Sequence, residues 1–400
     1  MLSGYSSSRS RRYDAYMRST PKILVISFSD IQRDARLLRQ LSVVKDFGHV
    51  TTLGYGKQPV GSDEHLQVPS ELPSLPQTVL GVLELALHLH GASEFAAPAL
   101  KRARELLRDR QFDLVISNDA RALPVAFYAA GSSTPVWADL HEWAPEERTH
   151  IASWRILVAP YIRYICKKYL PRTSAQTTVA GRIAHLYQET FGVQPLIMRN
   201  SCPLQDLEPS KTNSEQIRLV HSGGAVPGRA LETTIKAVVA AGERFTLDLY
   251  LVPANDGGKY LRELKSLAEG SPRIVFHDPV KPAELPRTLN QYDVGVFWIP
   301  PFNTNARLTL PNKLFDFVQA RLVVAVGPTV EMVDVVKQYN LGIVSAGFSV
   351  EQIVESLNTL TSENIATYKQ NVNAAARELN FDKDAEVARS IIRELLGSNR

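Results

Sequence analysis

Residues 309–327, TLPNKLFDFVQARLVVAVG, combine residue types that suit the binding of a phosphate and a sugar. Pro311 is preorganised for the first turn of a helix, whose free backbone N–H groups and positive dipole end attract an anion. Lys313 and Asp316 are three apart and share a helix face, so one can neutralise phosphate oxygens while the other accepts hydrogen bonds from a sugar diol. A first-turn acid stabilised by the dipole and paired with a nearby lysine explains the same spacing. The apolar run Val323 to Val326 then reads as a strand buried on both faces.

Two further constellations fall at the ends of apolar runs. In SGGAVPGR, residues 222–229, Gly223 and Gly224 allow close approach of backbone to a pyrophosphate, and Arg229 could clamp the same group in bidentate fashion. A tight strand-to-helix turn accounts for the glycines as well. Asp139-Leu140-His141-Glu142-Trp143 follows the run Val136–Trp137, at the carboxyl end of a strand, where ligands of open α/β sheets bind. Alternation puts Asp139 and His141 on one side, so the acid could orient the imidazole, whereas a loop salt bridge is the plainer account of His141 and Glu142. A metal is rejected because no third ligand stands at suitable spacing.

The elements that must hold these residues alternate between strand and helix. The run Ile23–Phe28, a helical spacing over 34–47 and a strand over 50–53 predict a βαβ opening. Further strands are expected at 114–117, 136–139 and 177–179, and, after a polar Pro-containing linker at 201–216, at 217–221, 246–252, 273–277, 294–298, 323–326 and 342–344, with a helix over 231–241. Four hundred residues suit two domains, 21–200 and 217–365, with a basic tail over 1–20 and a C-terminal helix over 366–400. The fold class is therefore α/β, with two doubly wound domains presenting the carboxyl ends of their sheets to an interdomain cleft.

Composition narrows the setting. Hydrophobic content of 44% and charged content of 22% are globular values. Cys166 and Cys202 are two isolated thiols without disulfide or zinc spacing, which predicts a reducing compartment. No apolar run reaches the roughly 18 residues of a membrane span, and the first twenty residues lack a signal-peptide core, so a cytoplasmic protein is expected. The net charge of +4 is carried by the first half, where residues 1–200 hold 24 Lys/Arg against 18 Asp/Glu. Residues 151–172 mix Arg155, Arg163, Lys167, Lys168 and Arg172 with Trp154, Tyr161, Tyr164 and Tyr169, a combination that fits an anionic membrane surface. A solvated basic helix with its aromatics packed on its own domain fits it too. No recognition motif accompanies the charge, and no nucleic-acid partner is expected.

The stretch LPNKLFDFVQARLVVAVG resembles the donor-site signature of GT-B glycosyltransferases of the family 4 type. It departs from that pattern at Asp316, where a longer Glu is usual, at Leu308, where many members carry an earlier Glu, and at Arg321, where a Gly is usual. SGGAVPGRALE is similar to the family's donor-phosphate loop, and Asp139 to Glu142 resemble its D-x-H-E motif. Asp34 and Arg36 resemble the D-x-R start of the acceptor domain, with capping by Ser29 or Asp30 as the local alternative. Asn118 sits where members place acceptor-side polar residues, and Arg199-Asn200 resemble the hinge entry.

The resemblance implies retaining, metal-independent hexosyl transfer from a nucleotide-diphosphate sugar, UDP- or GDP-linked, to a glycan or lipid-linked acceptor in cell-surface polysaccharide assembly. The sugar nucleotide is then a co-substrate and no cofactor is called for. Gly223, Gly224, Arg229, Asn312 and Lys313 would hold the diphosphate, Asp316 the ribose, and His141 with Asp139 and Glu142 the reacting groups. A peripheral site at the inner face of the membrane would follow. A GT-B nucleotide-sugar epimerase and an inactive glycosyltransferase-like subunit are the alternatives.

Overall fold

The computed structural model describes residues 20–213, 215–254 and 256–397. The tail expected over residues 1–20 lies, apart from Thr20, outside the described residues. β1 (Lys22–Asp30), α1 (Ala35–Val44) and β2 (His49–Tyr55) form the expected βαβ opening. There follow β3 (Glu64–Gln67), α2 (Val79–Ala86), α3 (His90–Ser93), α4 (Pro98–Leu106), β4 (Leu114–Asn118), α5 (Leu123–Ala130), β5 (Val136–Leu140), α6 (Ala159–Tyr169), β6 (Ala175–Thr178), α7 (Gly181–Phe191) and the short β7 (Leu196–Ile197). They build a seven-stranded sheet in the order β3-β2-β1-β4-β5-β6-β7.

The second half repeats the pattern. β8 (Ile217–Ala225), α8 (Leu231–Ala240), β9 (Phe245–Pro253), α9 (Lys259–Leu267), β10 (Ile274–His277), α10 (Leu285–Leu289), β11 (Val294–Phe297), α11 (Thr304–Arg307), α12 (Asn312–Gln319), β12 (Val323–Val326), α13 (Val330–Gln338) and β13 (Gly342–Val344) precede α14 (Val350–Asn358), α15 (Ser362–Ala375) and α16 (Phe381–Gly397). Its six strands take the order β10-β9-β8-β11-β12-β13, with parallel registers such as Val294↔Val323 and Ile217↔Phe245. Both sheets are doubly wound, the strand order reversing beside β1 and β8.

Two compact units result, one of residues 20–139, 168–175 and 388–397 and the other of residues 140–167 and 176–387. The stretches 140–167 and 176–200, expected with the N-terminal domain, thus group with the C-terminal one. The end of α16 belongs to the first unit, where the Arg393 guanidinium stands 6.0 Å from the Phe47 ring. Residues 201–216 form no regular element, but they are not a free linker. Gln205 N–H donates to Gln319 Oε1 at 3.0 Å, Lys369 Nζ donates to the Ser210 carbonyl at 3.0 Å and Asn290 Nδ2 to the Glu208 carbonyl at 2.9 Å.

The placement of α12 follows from one small residue. Leu314, Phe315, Phe317 and Val318 are essentially buried, while Asn312, Lys313 and Asp316 keep to the open side. Phe317 lies flat on Gly295 of β11, where any added Cβ would stand 2.3 Å from the ring. After the helix, Arg321 turns the chain with φ +64, a conformation that glycine adopts without strain and that costs other residues about 1–3 kcal/mol. Its buried guanidinium offsets that cost by donating to Asn373 Oδ1 at 2.6 Å and to the carbonyls of Gln319 and Gln205, both at 2.8 Å.

Candidate active site

Pro311, with φ −79 and ψ 155, caps α12 rather than opening it, so Asn312 and Lys313 occupy the first two helical positions and their N–H groups are among the helix's free donors. The glycines come from a strand rather than a loop. β8 was expected to end at His221, yet its ladder with β9 continues through Gly223↔Leu251 to Ala225↔Pro253. Gly223 takes φ +126 there, and a Cβ on it would stand 2.4 Å from Lys313 Nζ. The lysine therefore lies against the strand, its Nζ 5.4 Å from the centre of the Phe297 ring. Arg229 comes from the turn after β8, with Nη1 3.8 Å from where a Cβ of Gly224 would be.

The electrostatics follow from this crowding. Burial, helped by the Arg229 charge and opposed by Asp316, lowers Lys313 from 10.5 to about 8. Burial lowers Arg229 below its ordinary value too. The nearby Asp316 offsets only part of the mutual repulsion of Lys313 and Arg229, and a bound diphosphate would relieve both. Beneath them His221, 2% exposed, shares Nδ1 with the Val296 carbonyl at 2.8 Å and is held near 3 by burial and the Lys313 charge.

Two cavities of the second unit meet at these residues. One of about 420 Å³ is lined by Gly223, Arg229, Lys313 and Asp316, together with Tyr250, Pro279, Val280 and Leu285. The other, about 700 Å³, is lined by His141, Glu142, Glu147, Arg148, His150, Asn200 and Asn303. Arg229, Ile299, Thr309, Pro311 and Asn312 belong to both walls, so the helix amino end stands between the Asp316 and His141 ends of one groove.

The loop carrying His141 is fixed by residues that no motif marked. Asn305 of α11 accepts from Trp143 N–H at 2.8 Å and donates to its carbonyl at 3.2 Å. Tyr187 Oη donates to the Glu142 carbonyl at 2.9 Å and accepts from Ala144 N–H at 3.1 Å. Thr304 bonds Glu146 on the same loop. Asn303 caps α11 ahead of them, its side chain accepting from Ala306 N–H at 2.7 Å.

The remaining candidates are placed elsewhere. Asp139, with no solvent exposure, accepts from Arg36 at 3.0 Å and 2.6 Å and from Gln40 at 3.1 Å, while Gln40 in turn accepts from Asn118 Nδ2 at 3.0 Å. Asp139, Arg36 and Asn118 are thus members of one buried network, whose chemistry is that of a structural ion pair. Asp34 is the N-cap of α1, accepting from Arg36 and Leu37 N–H groups, a role expected of Ser29 or Asp30. In the basic stretch Trp154, Tyr161 and Tyr169 are buried, which leaves its cations, but not these three aromatics, at the surface. Leu308 is buried as well. Cys166 and Cys202 form no disulfide, and no helix among the described residues is long and apolar enough to cross a membrane. Among the described residues no three His, Cys, Asp or Glu side chains are grouped to hold a metal.

This architecture is shared with solved structures. The chain aligns over 94% of its length, and 100% of theirs, with Anabaena HepE in complex with UDP and glucose at 15% identity and a TM-score of 0.66, and with the α,α-trehalose-phosphate synthase (UDP-forming) of Burkholderia vietnamiensis at 10% and 0.64. WaaG, a glycosyltransferase involved in lipopolysaccharide biosynthesis, aligns over 92% of this chain and 99% of its own at 15% identity and a TM-score of 0.62. Residues 62–199 match Glycosyltransferase Family 4. No curated protein sequence matches the chain. The fold is GT-B, as in these solved structures, and residues 62–199 are similar to the family 4 glycosyltransferases.

Proposed function

We propose that the protein transfers a sugar from a nucleotide-diphosphate donor to an acceptor hydroxyl with retention of configuration. The observation that carries this reading is the continuity of the groove from Asp316, past the helix amino end, to His141. In this reading the base lies toward Pro279 and Val280, Asp316 takes the ribose hydroxyls, and Lys313, Arg229 and the α12 amides neutralise the diphosphate as it departs, the electrostatic contribution that usually dominates such steps. The sugar then reaches His141, which orients it, and the departing phosphate oxygen accepts the acceptor's proton. No metal takes part, because two cations and a helix terminus already supply the charge.

HepE is solved with UDP and with UDP-glucose, which supports a UDP-linked hexose as the first donor to try. The likeness to WaaG supports a cell-surface glycan or lipid-linked acceptor. The test is thermal shift against UDP-, GDP-, ADP- and dTDP-sugars, where a ligand at a hundred times its Kd adds about 2.7 kcal/mol of stability. The binding donor is then assayed for nucleoside diphosphate release with acceptor, in the presence of a chelator. Both His141→Ala and Lys313→Ala should slow release at unchanged fold. Unchanged release in both variants would end this assignment, and an altered free sugar nucleotide would indicate an epimerase instead.

A further inference from the structure

The segment TVLGVLELALHLH, residues 78–90, builds α2 and the turn after it mostly from aliphatic residues, interrupted by the part-buried Glu84 and by His88 and His90. A helix of that composition is ordinarily buried. Here Leu85 is packed inward at 3% exposure and Gly81 closes on Pro76, where a Cβ would find its neighbour at 2.8 Å. The rest is open: Val79 is 91% exposed, Leu80 65%, Leu83 52%, Leu87 60% and Leu89 52%. Large apolar side chains contiguous at a surface mark a contact with another phase or partner.

The flank of this patch is positive. α4 follows within the same unit and shows Lys101, Arg102 and Arg104 to solvent, Arg104 lying 4.4 Å from the Phe95 ring. Glu94, just after α3, is bound by Lys168 at 2.5 Å and by Tyr169 Oη at 2.8 Å, which ties the patch to the basic end of α6. Arg172 continues it, its guanidinium 4.6 Å from the Phe127 ring. Against these five cations stand Glu84 of α2 itself, Glu94, and Glu105, the last paired with Arg102 at 2.9 Å.

We propose that residues 79–89 insert into the interface of an anionic bilayer, with Lys101, Arg104, Lys168 and Arg172 against the headgroups. Interfacial helices combine such an aliphatic face with flanking cations, which anionic lipids attract. A second copy of the chain is the poorer occupant, since pairing this patch with itself would bring two positive flanks together. The apolar contribution comes from α2 and not from the aromatics of residues 151–172, three of which are buried. The surface does not depend on the transferase reading, and vesicle binding is measured without donor, so the two fail separately.

The full chain is sedimented with vesicles of phosphatidylcholine, with and without phosphatidylglycerol. Binding should require phosphatidylglycerol and weaken in high salt. Leu80→Gln with Leu83→Gln should weaken it about tenfold or more, and Lys101→Glu should weaken it as well. These side chains are exposed, so circular dichroism should show an unaltered fold, and nucleoside diphosphate release with a soluble acceptor should be unchanged. Absence of binding by the natural chain, equal binding by the double variant, or a dimer that the double variant dissolves would each overturn the proposal.

Discussion

Gly223→Ala tests the geometry of the groove more sharply than removal of a charged group. The new methyl would stand 2.4 Å from Lys313 Nζ and 2.6 Å from Cε, at a backbone φ of +126. The strain should cost about 1–3 kcal/mol of stability. The side chain of Lys313 is flexible at its end, so it yields, and the ammonium leaves the place where a diphosphate oxygen would meet it. A hydrogen bond to a charged group contributes about 1.5–3 kcal/mol, so affinity for the nucleoside diphosphate should fall roughly ten- to hundredfold. Calorimetric titration at neutral pH measures this, with the bare nucleoside as a control whose weak binding should not change. Lys313→Ala should give a similar loss, and the double variant little more than either alone, because both remove one contact. Unchanged diphosphate affinity in Gly223→Ala, or losses that simply add, would refute the reasoning.

Lys313 also predicts two pH dependences of opposite sign. Diphosphate binding favours the ammonium form, so affinity should fall as pH rises above about 8, and the dependence should vanish in Lys313→Ala. The unliganded protein should instead gain stability between pH 8 and 10.5, where the unfolded chain still holds the proton that the folded lysine has lost; urea midpoints across that range report it. Replacing Asp139 by Asn should leave Arg36 buried without its counter-charge and lower unfolding free energy by about 3–5 kcal/mol, measured by urea denaturation. An unaltered midpoint would refute a structural role for this ion pair.

Much of the fold was legible because buried parallel strands are continuous apolar runs: β12 and β13 stand where the runs 323–326 and 342–344 put them. Lys313 and Asp316 do share the open face of α12, since Leu314, Phe315, Phe317 and Val318 fix which side is buried. Lone motifs misled where tertiary pairing decided. Asp139 is held by Arg36 and Gln40, which lie about a hundred positions away and which no local spacing shows. Asn305 and Tyr187 were invisible for the same reason. The end of β8 was misjudged because Gly223 and Gly224 read as a turn, whereas ladder pairing with β9 kept them extended. Trp154, Tyr161 and Tyr169 fitted an anionic membrane surface or packing on their own domain, and their rings serve the interior.

That extension of β8 bears on how ligand choice could change. If a phosphate rests on Gly223 as proposed, it would meet backbone already immobilised by its neighbour strand, which lowers the ordering cost of association and disfavours any substitution that adds bulk. Discrimination among sugar nucleotides must then be written in the margins of the groove, chiefly in the stretch from Val226 to Ala230 and around Pro279 to Leu285, where side chains can be exchanged while the shared grip on phosphate stays constant.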